Sequence, residues 1–268
     1  MTKQFDFTAS YYDQEFTNTK IGIAQRNIVL KFLDKNLQGL KNVDIFELNC
    51  GTGEDAQWFG EKKQVNSILA TDISEKMVEV AEQKNKTNLK ASFRLEDASN
   101  LSPIVLEKRF DIIHSNFGGL NCLDRFEIES LLQQLSLMLK PNGCIYLVLM
   151  PTVCIWESFY FCLKLNWKNV FRRYTKDSVN AQLNADNFVK TWYYSPKTLK
   201  RLLPPSLKIT NFQTVGFFIW PSYLNAWATK CPALFNLLVK LENLVKGLSF
   251  LCFFSDHYMV KITSSGKN

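Results

Sequence analysis

Residues 47–56 read Glu47-Leu48-Asn49-Cys50-Gly51-Thr52-Gly53-Glu54-Asp55-Ala56, and Val43-Asp44-Ile45-Phe46 leads into them. A short apolar run that breaks into Gly-x-Gly and then turns helical reads as a strand, a tight loop and a helix start. Glycine lets the backbone take positive φ and approach a ligand closely. Asn49 stands where many such loops carry another glycine, and asparagine is the residue next most tolerant of that conformation.

Outward from this loop the same alternation continues. A helix is expected over 56–64 and a strand over 67–71, closed by Asp72. Ser74 is a fitting N-cap for a helix to about 86. Strands follow at 92–95, before Asp97-Ala98, and at 110–114. Asp124 with Glu127 three residues on resembles a capping box for a helix to about 139. Pro141-Asn142-Gly143 reads as a turn. Residues 144–150 are unbroken apolar sequence, as in a central parallel strand covered on both faces.

Upstream, Ile21, Ile28, Phe32 and Leu37 recur near helical spacing. Downstream come aromatic-rich, helical-looking sequence, a short helix at 195–203, a strand at 207–218, a Leu- and Phe-rich stretch and a strand at 257–263. Strands alternating with helices imply a parallel sheet with right-handed crossovers. The expected fold is α/β, a doubly wound seven-stranded Rossmann-like sheet with helical cap insertions. Its expected parts are an N-terminal helical lid (1–40), a cofactor-binding core (41–155), a helical cap insertion (156–200) and the rest of the core (201–268), with a helical insertion at about 219–255.

Gly51-x-Gly53-x-x-Ala56 also fits the dinucleotide fingerprint. A dinucleotide rests its pyrophosphate on the helix N-terminus, where Glu54 and Asp55 would repel it. S-adenosylmethionine has no phosphate and carries an ammonium and a sulfonium, so acids near the loop favour it. Asp72, about 20 residues beyond the loop, suits both ribose hydroxyls; the alternative is a helix cap. Asp97 suits the adenine amino group; the alternative is a solvated loop acid.

These segments resemble the motifs of class I S-adenosylmethionine-dependent methyltransferases. ELNCGTGED resembles their first motif, TDIS the acidic loop, LEDAS the adenine loop, FDIIHSNFGGLNCL the fourth motif and LKPNGCIYLVLM the turn and strand after it. ASYYDQEF resembles a segment that lies over the cofactor in the ubiquinone/menaquinone-type and related small-molecule subgroups. The resemblance covers residues 5–150, fades over 151–256 and returns at DHYMVKIT. It implies that Glu47, Gly51 and Gly53 line the methionine end, with Asn49 departing from glycine. It implies that Asp72 and Ile73 hold ribose and adenine, that Asp97 and Ala98 hold the adenine edge, and that Asn116 and Phe117 face the transferred methyl. Tyr12 and Arg26 are the lid and carboxylate candidates. Ser115-Asn116-Phe117-Gly118 differs from the Asn/Asp-Pro-Pro-aromatic sequence of base-amino methyltransferases, which argues against a nucleic-acid substrate.

The chain has 268 residues, 46% hydrophobic and 21% charged, with a net charge of +7. The basic residues are scattered, the densest cluster being Lys168, Arg172, Arg173 and Lys176. Seven cysteines without a C-x-x-C pair, and two histidines, argue against a metal site and for buried thiols in a reducing compartment. The N-terminus lacks the apolar stretch of a signal peptide, so a cytoplasmic protein is expected. Residues 232–254 are apolar but broken by Lys240, Glu242 and Lys246, which points to amphipathic helices, with peripheral membrane contact as the alternative.

Methyl transfer needs a base only if the acceptor must lose a proton. His114 and His257 are the candidates, and Glu157, a further catalytic candidate, is expected to face the substrate pocket; its alternative is a solvated or capping acid. The dense aromatics at 156–194 and 217–227 suit a cap that walls a pocket for a small, mainly apolar or aromatic molecule, methylated on oxygen or carbon. The competing expectations are an NAD-dependent oxidoreductase and a non-catalytic small-molecule or membrane-surface binding module.

Overall fold

The computed structural model describes residues 2–182 and 187–266. Residues 183–186, inside the expected 156–200 cap, and the chain ends at 1 and 267–268 lie outside the described residues.

The strands are β1 (Val43–Leu48), β2 (Val65–Asp72), β3 (Ala91–Leu95), β4 (Phe110–Ser115), β5 (Leu139–Leu149), β6 (Val179–Gln182), β7 (Phe188–Thr191), β8 (Leu207–Val215) and β9 (His257–Ser264). Seven of them form one sheet in the order β3-β2-β1-β4-β5-β9-β8. Pairing is parallel from β3 to β5, and β9 runs antiparallel to both β5 and β8. Helices cover both faces. In β5, Ile145, Leu147 and Leu149 pack into the layer that holds Ile128, Leu131 and Leu135 of the helix Arg125–Met138. Tyr146 and Val148 pack into the opposite layer, with Ile28, Val29 and Leu33 of the helix Lys20–Leu37 and Phe59 of the helix Glu54–Gly60. Covering on both sides is why this strand shows no polar alternation.

The two sequence-read caps form. Ser74 accepts a hydrogen bond from the Met77 amide, and Asp124 and Glu127 close a capping box. Three readings change. The Pro-Asn-Gly turn lies within β5 as a bulge: the register moves from Phe110 opposite Leu139 to Ile112 opposite Cys144, and Asn142 takes φ 65°. β8 ends at Val215 rather than 218, because Gly216 turns the chain at φ +84°. The 156–200 segment is not helical throughout. After the helix Ile155–Leu163 and a 3-10 turn at Trp167–Asn169, β6 and β7 pair as an antiparallel hairpin. In β7, Val189 and Thr191 are buried while Phe188 and Lys190 are exposed, a period of two.

The 219–255 insertion carries helices at Asn225–Lys230 and Pro232–Val245. Among the described residues no helix is long and apolar enough to cross a membrane.

Strand order reverses at β1, which has β2 on one side and β4 on the other. The loops after these strands diverge there and open a crevice at the sheet's carboxyl edge, the usual ligand position of such sheets.

Candidate active site

Two adjoining chambers occupy that crevice. The smaller, about 110 Å³, is lined by Asn49 and Gly51 after β1, Asp72 and Ile73 after β2, Asp97 and Ala98 after β3, and Asn116 and Phe117 after β4. Phe5 and Tyr12 from the N-terminal segment complete it. Two acids, Asp72 and Asp97, face this chamber, and no lysine or arginine is among the described residues lining it.

The loop after β1 takes left-handed backbone at Asn49 (φ 55°), Gly51 (53°) and Gly53 (77°). A Cβ on Gly51 would meet nothing within 4 Å, so its backbone borders open space. Its amide donates to Asp72 Oδ2 at 2.8 Å, while Asp72 Oδ1 accepts from the Ser74 amide at 2.9 Å. Asp72 therefore ties the glycine loop to the next helix and faces the chamber as well. Burial pushes its carboxyl above the usual range. Gly53 serves packing instead: a Cβ there would reach Asn85, Ala81 and Phe93.

Asp55 and Glu54 do not act as the loop charges the sequence suggested. Asp55 turns inward, is buried, and pairs with Arg26; its carboxylate also accepts from Asn116 Nδ2 at 2.6 Å and lies 3.2 Å from His114 Nε2. Burial opposes its charge, but Arg26 and these hydrogen bonds outweigh it and hold the carboxyl far below the usual range. Glu54 pairs with Lys84 at 3.0 Å. Both charges are balanced within the protein, so repulsion of phosphate by them is not what shapes the site. Glu47 lines neither chamber. It is buried, its Oε2 has no partner, and burial raises its carboxyl well above the usual range.

The N-terminal segment is strapped across the smaller chamber at two points. Asp6 accepts from Ser74 Oγ at 2.5 Å, and Asp13 accepts from Thr52 Oγ1 at 2.6 Å and Lys84 Nζ at 2.8 Å. The strap fits because residue 22 is glycine; a Cβ there would fall 1.9 Å from the Phe16 carbonyl oxygen.

The larger chamber, about 250 Å³, shares Phe5, Tyr12, Phe117 and Cys122 with the smaller one. Its other walls include Arg26, Met150, Val189, Tyr193, Tyr223 and His257. Arg26, expected at the cofactor carboxylate, sits here, 5.1 Å from the Phe117 ring centroid. A buried charge network backs this chamber. Glu157 accepts from Arg172 at 2.8 and 2.9 Å and from Arg173 at 3.0 Å. Arg173 also donates to Asp256 Oδ1 at 2.9 Å, and Gln25 Nε2 donates to Asp256 Oδ2 at 3.1 Å.

Of the three expected catalytic residues, His114 is corrected. His114 is fully buried in β4, with Nδ1 3.3 Å from the Tyr146 carbonyl and Nε2 on Asp55, and it lines neither chamber. Glu157 lines the larger chamber, but two arginines occupy its oxygens. Burial works against its charge, and the arginines still hold it below the usual range. His257 does line the larger chamber, with its ring edge-on to Phe117 at 5.6 Å.

Several residues of this side escaped the sequence reading. Arg172 and Arg173 read only as a basic cluster, Asp256 and Asn121 lie in DHYMVKIT and FDIIHSNFGGLNCL without a role assigned to either, and Gln25 gave no signal. Asn121 is fully buried and locks the cap to the core, accepting from the Met150 amide at 2.9 Å and donating to the Trp192 carbonyl. Among the described residues no group of His, Cys, Asp and Glu is arranged to hold a metal ion.

Residues 45–143 match a family described as a methyltransferase domain. The chain is 27% identical over 221 residues to the demethylmenaquinone methyltransferase of Bacteroides fragilis, spanning 80% of this chain and 83% of that one. It is 33% identical over 140 residues to the malonyl-[acyl-carrier protein] O-methyltransferase of Bacillus anthracis, spanning 51% and 49%. The fold superposes on an S-adenosylmethionine-dependent methyltransferase from Clostridium acetobutylicum with a TM-score of 0.59, at 15% identity, over 97% of this chain and 98% of that one.

Proposed function

Taking the chain as a class I S-adenosylmethionine-dependent methyltransferase, we propose that the smaller chamber takes S-adenosylmethionine and the larger one a small, mainly apolar or aromatic acceptor. The observation that carries this is the charge of the smaller chamber: it presents two carboxylates, with no basic side chain among its described lining residues. A cationic, phosphate-free nucleoside suits that lining; a pyrophosphate does not.

The residues fit in detail. The open backbone at Gly51 leaves room for close approach, and on this reading Asp72 takes the ribose hydroxyls and Asp97 the adenine amino group. Asn116 and Phe117 stand at the wall between chambers, on the methyl-donating side. S-adenosylmethionine supplies an already activated methyl group, so the chain's work is orientation and exclusion of water. Phe5 and Tyr12 on the N-terminal strap close the donor chamber and wall the acceptor one. Phe16, Met150, Val189, Tyr193 and Tyr223 give the acceptor chamber its apolar and aromatic character.

Calorimetry with S-adenosylhomocysteine and with NAD tests the donor half; binding of NAD alone overturns it. A thermal-shift panel tests the acceptor half. Aromatic ring compounds should stabilise the complex with S-adenosylhomocysteine more than sugars or nucleotides do. Demethylmenaquinone and malonyl-acyl-carrier protein, named for the two relatives, belong in the panel.

A further inference from the structure

The geometry points to His257, oriented by Asp256, as the general base that takes the proton of a phenol-type hydroxyl on the acceptor, which makes the reaction an O-methylation. This rests on the two-chamber reading above and adds the acceptor class and the proton path.

Position comes first. His257 opens β9 beside the wall that divides the chambers, edge-on to Phe117. Its Nε2 lies 3.8 Å from where a Cβ on Gly118 would stand, so that nitrogen faces the end of β4, where donor and acceptor meet. Its Nδ1 lies 3.1 Å from Asp256 Oδ2, an ion-pair distance without full hydrogen-bond alignment. A carboxylate beside Nδ1 keeps the proton there and leaves the Nε2 lone pair for the chamber.

Elimination comes second. Glu157 is held by two arginines, and Asp256 by Arg173 and Gln25. Burial pushes the phenols of Tyr12, Tyr193 and Tyr223 up, and the Cys122 thiol up to about 12. Among the described side chains lining this chamber, His257 is the one base with a lone pair to spare.

Asp256 is a positioning residue. It is buried, and Arg173 and Gln25 grip it from two different elements, so its carboxylate holds one direction.

The step balances with these groups. The hydroxyl proton passes to Nε2 of His257 as the oxygen bonds to the sulfonium methyl carbon. The S–CH3 electron pair stays on sulfur, which leaves as a neutral thioether, and the positive charge ends on the imidazole. The arrangement sets one acceptor beside a hydroxyl at the wall between the chambers and takes up the one proton that O-methylation releases.

Two probe phenols test it, with S-adenosylmethionine as donor. 4-Nitrophenol is largely ionised near pH 8, whereas 4-methylphenol is not. His257→Gln should lower transfer to 4-methylphenol by about 100-fold or more, within the usual range for a lost general base. Its loss on 4-nitrophenol should be about tenfold smaller. The product should be the aryl methyl ether, and S-adenosylhomocysteine should bind both proteins alike, which separates this step from the donor site. Equal losses on both phenols, a ring-methylated product, or a wild type that binds S-adenosylhomocysteine yet methylates neither phenol overturns the inference. With two histidines in the chain, imidazole 15N spectra give a readout free of any acceptor. His257 should carry its proton on Nδ1 in the wild type and lose that preference in Asp256→Asn; the opposite tautomer in the wild type overturns the orientation.

Discussion

The two chambers share a wall but are built by different means. The donor side is made by backbone: left-handed residues after β1, amides gathered by Asp72, and strand ends spaced by the crossover pattern. The acceptor side is made by side chains from distant parts of the chain, residues 25, 157, 172, 173, 256 and 257, joined by charge. Carboxylates record the contrast. Burial raises Glu47 and Asp72 above the usual range, whereas Arg173 and Arg172 hold Glu157, and His257 with Arg173 holds Asp256, below it despite burial. The donor-side acid is held by backbone amides, whereas the acceptor-side acids depend on their ion pairs.

The largest effect should come from breaking the acceptor network. Glu157→Gln leaves Arg172 and Arg173 short of a counter-charge, and removing one partner of a buried pair costs about 3–5 kcal/mol. Denaturant unfolding should show that loss while S-adenosylhomocysteine affinity, measured in the folded variant, stays within about threefold, since binding to the folded state is a separate quantity. A matching fall in affinity would join the two sides. Next, Asp72→Ala should weaken S-adenosylhomocysteine about 10- to 150-fold by calorimetry, because a hydrogen bond to a charged group is worth roughly 1.5–3 kcal/mol.

Acid should separate the chambers. Asp72 has a raised folded-state pKa, so its charge is lost early as pH falls from 7, and the bonds it accepts are lost with it. Glu157 has a lowered one, so its stabilisation is whole above about pH 4.3, the unfolded value, and is lost below that as pH falls through the folded value. Donor affinity should therefore begin to fall at a higher pH than stability does, by about tenfold before unfolding sets in; coincident curves would contradict the assignment. The smallest effect should be Glu47→Gln. An amide of like shape in place of a carboxyl whose Oε2 has no partner should change stability by less than about 1 kcal/mol.

The same contrast explains what the sequence revealed. The order of strands, the Ser74 and Asp124 caps and the lining by Asn49, Gly51, Asp72, Asp97 and Asn116 are local: each depends on residues within a few positions of itself. The hairpin β6 and β7 was hidden by its length: each strand has four residues, too few for a period of two to stand out. Asp55 shows the limit on the donor side. Its place at a helix start was legible, but its direction was set by Arg26, 29 residues away in sequence. Arg173 and Asp256 are 83 residues apart, and no spacing rule joins them.

The strap over the donor chamber has a consequence for turnover. Tyr12 lies between two tethers, Asp6 on Ser74 and Asp13 on Thr52 and Lys84, and it borders both compartments. Release of both tethers would free Tyr12, the side chain between them that borders both rooms. Exchange of spent nucleoside and departure of product are then a single gated event, and a slow strap would set the pace of the whole cycle however fast the chemistry runs.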